Sequence, residues 1–105
     1  MMICYEMADL MRRLSKMNIP YEIDYSVVPD FVQLWYPNKE NAVCDVIWHP
    51  YSFGFEDGLL EIMGLTEDEE DTVEGYLTGE QVARRIASDW IAEKVMQKIE
   101  KELKK

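Results

Sequence analysis

A run of apolar residues at helical spacing ends this chain. Val82, Ile86, Trp90, Ile91, Val95, Ile99 and Leu103 recur mostly four positions apart. Side chains three and four apart share one face of an α-helix. Just before the run, Thr78 is followed three positions later by Gln81. In that pattern each side chain satisfies the other residue's backbone N–H at a helix start. The spacing predicts one helix from about residue 79 to 103, ~37 Å long at 1.5 Å per residue. A sheet of six-residue strands spans only ~20 Å. The helix should therefore overhang the body it packs on. Its basic end (Lys94, Lys98, Lys101, Lys104 and Lys105) should project or pair.

The rest of the chain must build the body. Ile3, Met7, Leu10, Met11, Leu14 and Met17 predict an amphipathic helix from about residue 3 to 17. Arg12, Arg13 and Lys16 lie in its last turns, where the helix dipole favours cations. Asn18 suits the left-handed position after the helix, and Pro20 prevents continuation. Residues 21–28 then alternate, with Tyr21, Ile23, Tyr25 and Val27 on one face and Glu22, Asp24 and Ser26 on the other. Pro29-Asp30 marks a turn. Residues 31–36 are apolar on both faces apart from Gln33, which reads as the central strand. Residues 37–41 turn again, and residues 42–48 form a third strand.

Residues 51–58 read as an aromatic, glycine-punctuated loop. Residues 59–63 (Leu-Leu-Glu-Ile-Met) read as about one helical turn, closed by Gly64. Thr66 with Glu69 fits a capping box, so the acidic stretch 66–75 should open a short helix. The expected fold is a single α+β domain over residues 1–105. It has two layers in the order α-β-β-β-α: a three-stranded antiparallel meander, a short acidic helical insert and the long C-terminal helix.

Charge is distributed unevenly along this plan. No Lys or Arg falls between Lys39 and Arg84, while that interval holds twelve carboxylates. Residues 1–39 are near neutral and residues 84–105 are basic, so the formal net charge of −10 comes from the middle. Such a field repels nucleic acid and attracts basic partners, within a screening length of roughly 8–10 Å. No run approaches the ~20 apolar residues of a membrane span. At the N-terminus the positive charge follows the apolar residues, the wrong order for a secretory signal. Cys4 and Cys44 make no disulfide framework, consistent with a cytosolic protein holding reduced thiols.

The candidate sites follow from these patterns. Glu67, Asp68, Glu69, Glu70, Asp71 and Glu74 form a carboxylate cluster. It is either a solvated loop that keeps the chain soluble or a mimic of a phosphate backbone that fills a basic groove on another protein. It lacks the spacing of an EF-hand. Glu22, Asp24, Trp35 and Asp45, with Phe31, Gln33, Val43 and Ile47, should share the sheet face turned away from the helices. That face is a partner surface unless an insert or a second subunit covers it. Val95, Ile99 and Leu103 run past the sheet and predict a homodimer through the C-terminal helix. Trp90 reads as core. Cys44 and His49 sit in acidic surroundings, which disfavours a thiolate nucleophile. Three Cys and His residues are too few for a structural zinc site. The aromatic loop Tyr51-Ser52-Phe53-Gly54-Phe55 could stack bases, but Glu56 and Asp57 repel phosphate. No catalytic residue, metal or cofactor is expected, and direct nucleic-acid binding is not expected.

Several segments carry a resemblance: Ile19-Pro20-Tyr21-Glu22-Ile23, Tyr36-Pro37-Asn38, Val43-Cys44-Asp45-Val46-Ile47, the stretch from Asp57 to Leu65, and Gly75-Tyr76-Leu77-Thr78. Together they resemble small uncharacterised proteins encoded by phages and prophages of low-GC Gram-positive bacteria, over roughly two thirds of the chain. The resemblance implies an accessory phage gene in a bacterial cytoplasm and supplies no functional residues. Small acidic phage proteins include inhibitors of host defence, anti-CRISPR proteins among them, an analogy of class and size. The expected function is an acidic module that binds a basic surface of a host or phage protein, as an inhibitor by nucleic-acid mimicry. The alternative is a structural or regulatory homodimer.

Overall fold

A computed structural model describes residues 4–25 and 31–104. The predicted helix start at residue 3, the end of the first strand at 26–28, the Pro29-Asp30 turn and Lys105 lie outside them. The first helix, α1, spans Tyr5–Lys16, and Cys4 caps it: its Sγ accepts the Met7 N–H at 3.3 Å. Asn18 takes the expected left-handed conformation at φ 57°. The chain then reverses, and Ile19 donates its N–H to the Leu14 carbonyl.

Five strands follow: β1 (Glu22–Asp24), β2 (Val32–Tyr36), β3 (Cys44–Trp48), β4 (Leu60–Met63) and β5 (Val73–Leu77). They form one antiparallel sheet in sequential order, so β3 is central and β2 is not. The second helix, α2, spans Gly79–Leu103, and the Thr78–Gln81 capping box forms as expected. Both helices cover one face of the sheet. Met7, Leu10 and Leu14 from α1 meet Val82, Ala83 and Ile86 from α2 over Leu34, Val46 and Ile62.

The α+β class stands, but the three-stranded meander and the α-β-β-β-α order do not. Residues 59–63 are not helical: Leu60 and Ile62 alternate with Glu61 and Met63, and β4 pairs with β3 through Val46 and Ile62. A short apolar run fits either periodicity, and here the unpaired edge of β3 decides. The acidic segment is not a helix either. Like charges three and four apart repel on a helix. Thr66 instead spends its hydroxyl on the Asp68 and Asp71 carbonyls, and residues 64–72 connect β4 to β5 as a loop.

Two features fix where α2 lies. Gly79 abuts α1: an added Cβ would sit 2.3 Å from the Glu6 carbonyl oxygen, while the Glu6 carboxylate accepts the Gly79 N–H at 2.8 Å. Farther along, the Tyr36 hydroxyl donates to Asp89 at 2.7 Å. Burial, then this acceptor, raises the Tyr36 pKa. Beyond Trp90 every described residue of α2 is exposed, and the molecule extends 52 × 29 × 23 Å. The helix overhangs the body as its length requires.

Candidate functional site

The acidic loop begins where Gly64 leaves β4 at φ 89°, too close to the Val43 carbonyl for any Cβ. It returns through Thr72, whose carbonyl accepts the Gly64 N–H. Glu67, Asp68, Glu69, Glu70 and Asp71 are all exposed on it. Among the described residues none of the five takes part in a salt bridge. Asp68 accepts the Glu70 N–H at 3.0 Å, which helps set the backbone of the loop.

Glu74 is the exception in the predicted cluster. It pairs with Ile62 in the sheet, on the helix-covered face, and there it meets Arg85 of α2. The two side chains form a bidentate pair at 2.7 and 2.7 Å, each about three-quarters buried. Arg85 also donates to the Leu65 carbonyl, and Glu74 accepts the Glu67 N–H at 2.8 Å. The Arg85 hydrogen bonds hold the Glu74 carboxyl below the usual carboxylate range, and Glu74 raises Arg85 in turn. Glu74 thus ties the base of the acidic loop to α2 and is not part of its free charge.

The face turned away from the helices is assembled as the alternation predicts. One row runs Glu22, Trp35, Asp45, Met63 and Val73 across all five strands, and the next runs Asp24, Gln33, Ile47 and Glu61. The loop over residues 51–58 reaches this face at its β4–β5 end, where Phe53 lies against Gly75. Much of their polarity is used locally. Gln33 donates to Asp45 at 3.0 Å, Lys39 places its ammonium 5.2 Å from the Trp35 ring, and Glu61 accepts the Phe53 N–H. Val43 lies just outside β3 and is exposed. At one end His49 packs edge-on against Phe31 and near Tyr51.

The third predicted surface, Val95, Ile99 and Leu103, lies on the overhang together with Ile91, and all four are exposed. Trp90 is half-buried against the core, with the Lys94 ammonium 4.5 Å from its ring.

Cys44 and His49 do not converge. Cys44 is buried on the helix side of β3, where desolvation, then Asp45 and Asp89, push its thiol up to about 12. His49 lies beyond the far end of the strand and accepts the Tyr51 N–H. A thiol so raised is protonated at neutral pH and is a poor nucleophile. Among the described residues no three acidic, His or Cys side chains are grouped to hold a metal ion. No described helix is long and apolar enough to cross a membrane.

The sequence reading missed three positioning residues: Arg85, Asp89 and Glu6. Arg85 precedes the buried Ile86 and is the natural partner for an inward carboxylate. Seeing that required β5, which the acidic run obscured. The chain matches no protein-family model, no curated protein and no solved structure, so its function is read from its own residues.

Proposed function

We propose that this chain is a protein-binding module whose acidic loop engages a basic surface on another protein. One observation carries this reading: Glu67 to Asp71 place five exposed carboxylates in succession on a loop with no internal cation, anchored at its base by Glu74 and Arg85. An anchored loop loses less conformational entropy on binding than a free one. The partner it fits best is a nucleic-acid-binding protein, whose basic groove would accept carboxylates in place of phosphates. In a bacterial cytoplasm, and for a phage-encoded chain, this is inhibition of a host defence protein, anti-CRISPR-like in class.

The test is charge reversal. One rim charge pair contributes only ~0–1 kcal/mol, so the five must act together. Changing Glu67, Asp68, Glu69, Glu70 and Asp71 to Lys should abolish capture of the partner while the fold survives, read by circular dichroism. Wild-type association should slow steeply with added salt. Trp35→Ala is the competing variant. If it destroys binding while charge reversal does not, the open sheet face replaces the loop as the interface. The chain alone should not shift bare DNA or RNA in a gel at physiological salt.

A second reading, a structural or regulatory homodimer, is favoured by the exposed apolar residues of the α2 overhang.

A further inference from the structure

We propose that the overhanging half of α2 pairs antiparallel with the same segment of a second copy, with Ile91 opposite the partner's Leu103 and Val95 opposite the partner's Ile99. The inference rests on the homodimeric reading and is independent of the acidic loop.

The overhang carries one continuous ridge. Ile91, Val95, Ile99 and Leu103 are each four residues apart and are 60%, 50%, 45% and 80% exposed. A ridge of this spacing packs into the grooves of a facing helix, and the class of packing that crosses at about 20° keeps the two helices in contact along the whole overlap. The ridge also points the right way. Val95 lies roughly two and a half turns beyond Ile86, which places it on the opposite side of the helix. The buried stripe of Val82 and Ile86 faces the sheet and α1, so the ridge faces outward. No described residue of its own chain buries it, which leaves it open to a second helix.

Length and charge choose the orientation. In the antiparallel pairing the overlap occupies the exposed tract from Ile91 to Leu103, and the end of one helix stops where its partner's body begins. The same overlap brings the basic end of each tail, with Lys101 and Lys104, to the level of the partner's Glu93 and the partner's Trp90, beside the partner's acidic body. A parallel pair would align lysine with lysine and bring two acidic bodies side by side. Antiparallel, the bodies sit at opposite ends of tails ~20 Å long, beyond a screening length of ~8 Å. Lys94 lies over the Trp90 ring, which keeps its ammonium off the ridge.

Cysteine cross-linking tests the pairing, because the native thiols of Cys4 and Cys44 are buried. Ile91→Cys and Leu103→Cys are made separately in the full chain, and both positions are exposed, so the fold is retained. Mixed under mild oxidation at about 100 µM, in the range of weak interfaces, the two should give a disulfide-linked heterodimer. Neither should cross-link well alone, since like positions then lie ~18 Å apart. Val95→Asp with Ile99→Asp should abolish the product, and sedimentation should show the loss of the dimer. Self-cross-linking of Leu103→Cys would overturn the antiparallel orientation. A wild-type chain that sediments as a monomer at that concentration, with no heterodimer on oxidation, would overturn the pairing and leave the ridge to a foreign partner.

Discussion

The two halves of α2 carry similar apolar side chains and meet different fates. From Gly79 to Trp90 the helix buries Val82, Ala83 and Ile86 against α1 and the sheet. From Ile91 to Leu103 a comparable set stays in solvent. The join is a one-residue step from Trp90 to Ile91, which turns the apolar stripe around the helix and away from the body. Periodicity thus specifies that a face is apolar and where it points. It does not specify what receives it: the sheet receives the first half, and it ends before the second begins.

The sharpest way to break this contrast is to remove the same atoms from each half. Ile86→Ala should destabilise the fold by about 2–5 kcal/mol, because a close-packed site cannot collapse around the missing side chain. Urea unfolding with an unchanged m-value checks it. A cost below about 1 kcal/mol would mean that the first half is not the packed half.

Next in size is the close contact between α1 and the start of α2. Gly79→Ala places a methyl against the Glu6 carbonyl oxygen and a backbone nitrogen of α1. The helices must separate, at a cost of about 1–3 kcal/mol by the usual scale of overpacking. The lower melting temperature should come with weaker hydrogen-exchange protection at the start of α2. If the variant is as stable as wild type, the close approach does not position the helix.

These two halves also show what the sequence discloses. Both helices, three strands, the left-handed Asn18 and the capping box were legible because each is a local pattern of period, cap or turn. So was the open face, since alternation alone placed Trp35 and Asp45 together. Strands β4 and β5 were not legible. Leu60 and Ile62 fit a helical turn as well as a strand, and the preference came from pairing with Val46, a non-local partner. β5 was hidden because Glu74 and Gly75 interrupt its pattern. Glu74 points to the helices only because Arg85 neutralises it there, and Tyr76 adopts φ 59° where the β4–β5 register shifts. The acidic loop was found by composition, but Arg85, which turns Glu74 from a member of that cluster into its anchor, lay outside the run that drew attention to it.

The anchor supplies a smaller effect with a defined pH dependence. The carboxyl of Glu74 titrates lower in the folded chain than the ordinary ~4.3 of a free glutamate. Its contribution is therefore fully present above that value. It is lost as pH falls through the folded pKa, because the unfolded chain takes up the proton first. Asp9, held low by Arg13 and Arg12, acts in the same direction. Arg85→Ala should cost about 1–2 kcal/mol at pH 7. Glu74→Gln should flatten the acid limb of the stability curve below pH ~4 without removing it, since Asp9 remains. An acid limb identical to wild type would show that the pair does not hold the loop.

The smallest effect should fall on the second half of α2. At submicromolar concentration, where a weak dimer is dissociated, Ile99→Ala should change unfolding free energy by less than about 0.5 kcal/mol, as exposed substitutions do. The same variant separates the overhang from the body at higher concentration. If second copies dock there, the wild-type melting temperature should rise with concentration by mass action, and Ile99→Ala should weaken that rise. Ile86→Ala should lower the curve at every concentration while leaving its slope alone. A loss at Ile99 as large as at Ile86 in the dilute chain would mean that the overhang is packed against its own body, and the contrast between the two halves of α2 would be wrong.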